Sequence, residues 1–417
     1  MNGVNKIKIM NDIKDQIQRK GLNKWWSYPV NGKGTLQYAT GVGKTRCGVL
    51  ASALVAKRLG LDCQILILTP TETIRDRAWS EEFIKWGEED IFNTCVKCIC
   101  IQTAYKWWGQ HYDLVIADEI HNYIAPEYFN FFANNKYTKI LGLSAYIDPI
   151  KLPLLNSVAP ICDRISTQEA SKLGLISKFT IYNVPLSLTG DEKESYKNAN
   201  SNFSRLFPIF DRNLKIMYAC MKPNVYEQHL LRKGEVLNDD NKTFPYQCNA
   251  AMSNRKKLLY NASSKLDAVK HLCDLYPERK TIIFSQTIDF ADKVTEKLGK
   301  TCVSFHSKLG KKARIANLDK LIDNQTSITR ISTAKALNEG VNVPDISMAI
   351  IASGTSKVKD LIQRIGRAVR WKEGKQALIF HLFIEDSQEE KWVSSSQVGH
   401  SVEVMRLDNV ESKHEQL

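Results

Sequence analysis

The sequence predicts an α/β protein built from two tandem parallel-sheet domains, with a helical insertion in or before the second domain. Short apolar runs bounded by turn residues recur along the chain, and helical patterns separate several of them. Continuous apolar strands that alternate with helices are typical of parallel sheets covered on both faces. This alternation pauses near residues 148–165. Residues 190–262 are polar and mostly helical in pattern, which predicts the insertion.

Length and charge narrow the class of protein. The 417 residues suffice for two to three domains with substantial cores, and the formal net charge is +13. The positive excess favours a polyanionic partner such as nucleic acid, although a merely basic enzyme is an equal alternative on charge alone. No apolar run is long enough to span a bilayer and no signal-peptide pattern opens the sequence, so we expect an intracellular protein without a membrane partner.

The ten cysteines are too sparse for a disulfide scaffold, and most lie in apolar runs, so we expect them to be reduced and buried. Cys95, Cys98 and Cys100 form a C-x-x-C-x-C cluster. A zinc site needs a second pair at similar spacing, and the sequence offers none. The alternation in "VKCICIQT" instead predicts a strand with Cys98 and Cys100 on one face, and no metal.

The first domain, predicted over residues 1–165, contains a phosphate-binding pattern. Its predicted strands are "GTLQYA", "CQILILT", "VKCICIQT", "LVIAD" and "KILGLSA", and the helix "CGVLASALVAKRLG" ends at Gly60. In "LQYATGVGKTR", Gly41 and Gly43 allow a sharp turn that aims N–H groups inward. Lys44 would reach the β- and γ-phosphates of a nucleotide, and Thr45 would ligate Mg²⁺.

A pair of carboxylates follows a neighbouring strand. "YDLVIADEIHNY" places Asp118 and Glu119 at the carboxyl end of an apolar strand, where open α/β sheets bind ligands. Asp118 would hold the Mg²⁺ shell, and Glu119 would orient or deprotonate an attacking water. His121 is placed to couple this site to its neighbours. A solvated polar strand end is the alternative, but a phosphate loop upstream favours the catalytic interpretation.

The second domain, predicted over residues 166–390, resumes the alternation after the insertion. Its strands are "FTIYNVPLSLT", "TIIFS", "CVSFH", "SITRIS", "MAIIAS" and "ALIFHLF", and residues 391–417 are predicted as a polar tail that frays. "LIQRIGRAVRW" places Arg364, Arg367 and Arg370 on one broad helix face. A basic face of this kind is usually solvated or contacts nucleic acid.

Taken in order, these motifs resemble those of superfamily 2 helicases, over about residues 34–371. "ATGVGKT" resembles motif I, "LTPTETIRDRAWSEEFIKW" motif Ia, "CIQTAYK" motif Ib and "DEIH" motif II in its DEAH-like form. "LSAY" resembles motif III, "IIFSQT" motif IV, "STAKALNEGVNVPD" motif V and "QRIGRAVR" motif VI. The "GKTR" ending and the stretch "QEASKLGLISKFTIYNVPLSLT" are similar to phage UvsW-type recombination helicases and to restriction-enzyme motor subunits.

The resemblance implies two RecA-like domains with ATP and Mg²⁺ in the cleft between them, metal ligation by Thr45 and Asp118, and a cytoplasmic location in a bacterial or phage-infected cell. The implied catalytic residues are Lys44, Asp118, Glu119, Gln363, Arg367 and Arg370. The implied nucleotide-binding residues are Thr40, Gly41, Val42, Gly43, Lys44, Thr45, Arg46 and Gly340. The implied nucleic-acid contacts are Thr69, Pro70, Arg75, Thr103, Ser285, Gln286, His306 and Thr333. Arg367 and Arg370 would then point at the γ-phosphate, and Gly366 would permit close approach between the domains.

Several positions depart from the family pattern. Tyr38 replaces the first glycine of motif I, Ile120 the usual alanine of motif II and Tyr146 the last threonine of motif III, while Asn342 stands where motif V often has aspartate. Gln16 or Gln18 could read adenine. For the tryptophans Trp25 and Trp26, core packing is favoured over flanking the base.

Three functions remain open at this point. The first is a monomeric ATP-dependent DNA helicase or translocase acting on single-stranded or branched DNA in recombination, repair or replication, with a protein partner for targeting. The second is an RNA helicase, although the sequence shows no added RNA-binding module. The third is a nucleotide-gated nucleic-acid clamp with weak ATPase activity, which the substitutions at Tyr146 and Asn342 would allow.

Overall fold

The computed structural model describes residues 3–72, 75, 78–323, 325–334, 346–353, 358–368, 374–397 and 401–407. For residues 3–11, 358–360 and 367–368 it describes the backbone alone. Gly340, Asn342 and Arg370 lie outside the described residues, as does the side chain of Arg367, so their predicted roles stay predictions.

The first half of the chain forms a parallel six-stranded sheet of order β3-β2-β4-β5-β1-β6. Its strands are β1 (Lys33–Tyr38), β2 (Ile65–Thr69), β3 (Val96–Cys100), β4 (His111–Asp118), β5 (Lys136–Ser144) and β6 (Ile161–Ile165). The helices of this half are α1 (Gly3–Trp26), α2 (Lys44–Leu59), α3 (Trp79–Lys85), α4 (Glu89–Cys95), α5 (Ile101–Ala104), α6 (Asn130–Asn134), α7 (Leu152–Asn156) and α8 (Thr167–Lys172).

Burial explains why these runs become strands. Every residue of β2 is buried, and the central part of β4 is buried as well, because helices cover both faces of a parallel sheet. The helix that follows the phosphate loop ends at Gly60, whose positive φ of 83° lets the chain leave the last turn. "VKCICIQT" is a strand only to Cys100, since Ile101 begins α5.

The second half forms a parallel seven-stranded sheet of order β13-β7-β12-β11-β8-β10-β9. Its strands are β7 (Lys178–Leu186), β8 (Thr281–Ser285), β9 (Cys302–Phe305), β10 (Arg330–Ala334), β11 (Met348–Ile351), β12 (Gln376–Ile384) and β13 (Glu403–Val404). The two parallel-sheet domains confirm the predicted fold class.

Five α-helices lie between β7 and β8 in the chain, and the first four of them form the helical insertion. These four are α9 (Gly190–Leu206), α10 (Leu214–Ala219), α11 (Pro223–Arg232) and α12 (Phe244–Tyr260). They have a small apolar core of their own, which includes Leu206, Phe210, Met217 and Leu230. The helical insertion follows the carboxyl end of β7, and α12 ends at the same edge of the sheet, since the carbonyl of Tyr260 accepts from the hydroxyl of Ser353 just after β11.

The remaining helices flank the second sheet: α13 (Ser263–Leu275), α14 (Ile288–Leu298), α15 (Lys311–Ile322), α16 (Val358–Ala368) and α17 (Gln388–Ser396). Residues 391–396 belong to α17 and Glu403–Val404 form β13, so the expectation of a fraying polar tail is wrong for residues 391–397 and 401–407. Glu389 is fully buried and both its carboxylate oxygens lie 2.7 Å from Nζ of buried Lys265, which ties α17 to α13. β13 then pairs with β7, and Met405 is buried beside it.

All ten cysteines are free thiols, and eight of them, including Cys63, Cys100 and Cys302, are buried; Cys98 is half-buried. Within the described ranges, no group of three or more histidine, cysteine or acidic side chains could hold a metal ion. No helix among the described residues is both long and apolar enough to cross a membrane.

Candidate ATP and nucleic-acid site

The phosphate loop joins β1 to α2. Gly41 and Gly43 have φ values of 93° and 100°, a conformation that glycine adopts without strain. The loop therefore turns sharply and delivers the chain into the N-terminus of α2 at Lys44, where unpaired N–H groups and the helix dipole favour an anion. Nζ of Lys44 donates a hydrogen bond to the carbonyl of Tyr38 at 3.2 Å, inside the loop. This geometry fits a nucleotide polyphosphate.

Tyr38 takes the place of the first glycine of motif I without disturbing the loop. Its ring is fully buried, and its hydroxyl donates to Oδ2 of Asp163 at 2.7 Å. Lys24 holds the other oxygen of Asp163. An added Cβ at Gly21 would collide with the tyrosine hydroxyl, so α1 makes room for the ring.

Helix α1 holds the outer side of the phosphate loop. Nζ of Lys14 donates to the carbonyl of Gly41 at 3.2 Å, and Nε2 of Gln18 donates to the carbonyl of Val42 at 2.7 Å. Arg46 donates to Oε1 of Gln18 at 2.7 Å and also bonds to Asp15. Burial, with a smaller contribution from Lys85, lowers the pKa of Lys14 to about 8. These bonds fix the carbonyls of Gly41 and Val42 against α1, and the N–H of Val42 donates to the carbonyl of Ala39 at 3.3 Å, so the loop has a set conformation.

These contacts bear on the suggested adenine readers. Both ends of the Gln18 amide are engaged by the loop and Arg46, so its observed role is to position the loop. Trp25 is fully buried and its indole N–H donates to the carbonyl of Ile140 at 2.8 Å, which confirms core packing. The guanidinium of Arg46 lies 3.9 Å from the ring centroid of Trp86.

The two carboxylates stand at the end of β4, beside the phosphate loop. Indole Nε1 of Trp79 donates to Oδ2 of Asp118 at 3.2 Å. Loss of solvation, together with the adjacent charge of Glu119, raises the pKa of Asp118 to about 7. Glu119 has a φ of 52°, an uncommon conformation for a residue with a side chain. A divalent cation would relieve the repulsion between the two carboxylates, so the donor set fits Mg²⁺.

His121 links the carboxylate motif to the end of β5. Its Nδ1 lies 2.7 Å from Oγ of Ser144 and 3.2 Å from a carboxylate oxygen of Glu119. The Ser144 hydroxyl in turn donates to the carbonyl of Tyr146 at 2.8 Å. His121 is buried, and its carbonyl accepts from Nζ of Lys151 at 2.6 Å. Motifs II and III are thus joined by side chains, and Tyr146 takes part through its backbone.

Helix α16 of the second domain packs directly on the phosphate loop of the first. A Cβ added at Gly366 would approach the side chain of Thr40 more closely than carbon atoms can. Gln363 and Arg364 are buried on the same helix, and Arg364 donates to the carbonyl of Ser353 at 2.9 Å and lies over the Phe284 ring. The close approach expected at Gly366 is present, and Arg364 stabilises the helix from inside the domain.

The predicted nucleic-acid contacts lie mostly at the carboxyl ends of strands. Thr69, Ser285, Thr333 and His306 are buried. Hydroxyls of the first two bond within the protein, and Nε2 of His306 lies 2.8 Å from Oδ1 of Asp292. The carbonyl of Pro70 accepts from Gln102. Arg75 and Gln286 are half-buried, and Thr103 is exposed on α5.

Sequence reasoning missed two groups of residues. The contacts that Lys14 and Asp15 of α1 make with the phosphate loop and with Arg46 could not be predicted from local patterns. They span 27 and 31 residues along the chain. Trp79 belongs to the motif Ia stretch, but its bond to Asp118 spans 39 residues and no spacing rule connects them.

Family models match both halves of the chain. Residues 6–148 match "Type III restriction enzyme, res subunit", and residues 264–372 match "Helicase conserved C-terminal domain". A DNA 3'-5' translocase XPB2 of Sulfurisphaera tokodaii is 25% identical over 395 residues, covering 89% of this chain and 82% of that protein. The DEAD-box ATP-dependent RNA helicase 22 of Oryza sativa subsp. japonica is 28% identical over 137 residues, 30% of this chain and 23% of that protein.

Solved structures agree on the fold. S. cerevisiae Dbp5 bound to RNA and ADP BeF3 has a TM-score of 0.62 at 15% identity, over 96% of this chain and 92% of that chain. The Pyrococcus furiosus Hef helicase domain has a TM-score of 0.56 at 15% identity, over 92% of this chain and 97% of that one. The fold, the ordered motifs and the family matches define a two-domain nucleic-acid motor. The chain belongs to superfamily 2 of the helicases.

Proposed function

We propose that this helicase is an ATP-driven translocase that acts on DNA, unwinding it or remodelling its branches in recombination, repair or replication. The observation that carries the proposal is the contact of Gly366 on α16 with Thr40 in the phosphate loop. A nucleotide held by that loop would lie where the two domains meet, so turnover would be linked to their relative motion. The similarity to a DNA translocase over most of the chain favours DNA.

The residues divide the work of hydrolysis among them. ATP with Mg²⁺ supplies a γ-phosphoryl group whose transfer to water develops charge that the protein must stabilise. Lys44 and the loop amides would bind the phosphates, while Thr45 and Asp118 would hold the Mg²⁺ ion, which would neutralise phosphate charge. Glu119 orients the attacking water and accepts its proton.

The second domain would contribute the cations. We assign Arg367 and Arg370, with Gln363 beside them, to the charge that develops on the γ-phosphate, and Gly340 to the nucleotide. The remaining nucleotide contacts would come from Thr40, Gly41, Val42, Gly43 and Arg46. Domain closure around the nucleotide would complete the site.

Nucleic acid would cross the carboxyl edges of both sheets, with contacts mainly to phosphates. Arg75, Thr103 and Gln286 present side chains there, whereas Thr69, Pro70, Ser285, His306 and Thr333 would contribute through backbone groups or after a rearrangement. RNA is the second candidate for the nucleic acid on which the protein acts, because an RNA helicase is similar to 30% of this chain.

Steady-state ATP turnover against single-stranded, duplex, forked and four-way DNA and single-stranded RNA tests the proposal. We expect DNA to stimulate turnover at least tenfold, and more than RNA does. Equal or greater stimulation by RNA would favour the RNA helicase, and no turnover with any polynucleotide would favour the nucleotide-gated clamp.

A further inference from the structure

A groove lined by both polar and apolar side chains lies at the base of the helical insertion, next to the predicted nucleic-acid surface. It has a volume of about 870 Å³ and runs between α9, α12 and α14. Its polar lining includes Asn198, Asn202, Asn254, Asn261, Lys257 and Lys293. No catalytic or nucleotide-binding residue contributes to it, so the groove has no part in the ATP site.

The amides of the groove form two rows. On α9, Ser195, Asn198 and Asn202 are spaced three and four residues apart, which places them on one helix face. Asn254 and Lys257 on α12, with Asn261 directly after the end of that helix, repeat the same spacing. From Gln247 to Asn261 the row on α12 extends about 21 Å at the rise of an α-helix, enough to meet several consecutive backbone phosphates.

These side chains are available to a ligand. Asn198, Asn202, Asn254 and Lys257 are exposed. Throughout the described part of the chain, the three amides have no hydrogen-bond partner and Lys257 has no ion pair. Amide, hydroxyl and ammonium groups are the usual donors to phosphate oxygens. Among the described residues that line the groove there is no aromatic ring to stack on a base.

The acidic residues at the groove are already engaged. Glu192 accepts backbone hydrogen bonds from Thr189 and Ser263 at 3.0 and 2.9 Å. Asp289 forms an ion pair with Lys293 at 3.0 Å. Lys257 is therefore the cation with the least competition among the described residues of the groove.

One end of the groove is joined to the motif IV loop. Asn261 accepts a hydrogen bond of 2.6 Å from Oγ1 of Thr287, which directly follows Ser285 and Gln286. A strand that crosses the motif IV loop would thus enter the groove without a break. We propose that the groove between α9 and α12 binds the sugar–phosphate backbone of a single nucleic-acid strand. It would extend the predicted nucleic-acid-binding surface beyond the second sheet. This inference rests on the proposed function.

Binding of fluorescent oligodeoxythymidines of increasing length, at several salt concentrations, tests the groove in the full chain. For the triple variant Asn198→Ala/Asn254→Ala/Lys257→Ala we expect affinity for long oligomers to fall about tenfold and to level off at a shorter length. Loss of one lysine contact should also reduce the salt slope by about 0.7. ATP turnover without nucleic acid should be unchanged.

The pair Lys215→Ala/Asn224→Ala, exposed in the same insertion but outside the groove, is the matched control and should bind like wild type. The single variant Lys257→Ala is a second, less drastic test, for which the salt dependence of binding is measured. Its salt slope should fall by about 0.7, as in the triple variant. If the triple variant binds oligomers of every length as tightly as wild type, the groove is not part of the nucleic-acid-binding surface. The proposed translocase function is not affected by that result. If wild type binds no oligonucleotide and none stimulates turnover, both proposals fail.

Discussion

At the scale of single residues, burial and partners decide what each charged or polar group can do. Asp118 at the end of β4 and His381 inside the second domain are both shielded from solvent, yet burial shifts their pKa values in opposite directions. Burial raises the pKa of the carboxyl to about 7, whereas burial, with Arg364 and Lys265 nearby, lowers the pKa of the imidazole to about 3. Asp118 is the carboxylate for which we predict a Mg²⁺ partner, and His381 is neutral at neutral pH.

His381 should make stability fall in mild acid. Its pKa is about 3 in the folded chain and about 6.5 in the unfolded chain, so its contribution is intact above pH 6.5 and is lost as the pH falls toward 3. Each pH unit below 6.5 lowers the free energy of unfolding by about 1.4 kcal/mol. Urea unfolding of wild type at pH 6.5 and 5 should show a loss of about 2 kcal/mol from this group.

The substitution His381→Leu should remove that part of the pH dependence. The same change at exposed His111 should leave the dependence in place, and serves as the control. An unchanged slope in His381→Leu would show that His381 does not govern it.

At the scale of elements, α16 matters because of where it packs. The sequence pattern predicts that Arg364, Arg367 and Arg370 share one face of this helix. A basic helix face is usually a solvated surface or a nucleic-acid contact. In the folded chain Arg364 points into the second domain and Gly366 touches the phosphate loop. Helix α16 is thus an element through which the second domain contacts the phosphate loop.

Gly366→Ala should impair turnover by separating the domains. The new methyl group would overlap the side chain of Thr40, and overpacking of this kind costs roughly 1–3 kcal/mol. We expect kcat to fall about tenfold in a chain that still folds. Because Cβ at Gly310 would meet nothing within 4 Å, Gly310→Ala is the matched control and should keep wild-type kcat.

A double-mutant cycle with Thr40→Gly identifies the cause. Relative to Thr40→Gly alone, adding Gly366→Ala should then have little effect, since the overlapping side chain is gone. A full tenfold loss in the double variant would mean that the glycine acts through something other than this contact.

At the scale of the whole molecule, the sequence predicts the class of fold because most strands contain an apolar run with a turn at its end. The edge strands β6 and β13 lack such a run and are not predicted. Local patterns also identify the phosphate loop and the Asp-Glu pair, since their chemistry depends on residues a few positions apart. They miss Lys14, Trp79 and the Lys265–Glu389 pair. Those contacts join elements distant in the chain, and only the packing of helices on sheets brings them together.

The most direct test of the account is ATP hydrolysis by Lys44→Ala in the presence of the most stimulating polynucleotide. We expect wild type to turn over rapidly and this variant to lose at least 100-fold in kcat/KM, about 2.7 kcal/mol of transition-state stabilisation. Lys57→Ala, at the exposed far end of the same helix, should retain wild-type turnover. Hydrolysis by Lys44→Ala at the wild-type rate would contradict the assignment of the phosphate loop and with it the motor.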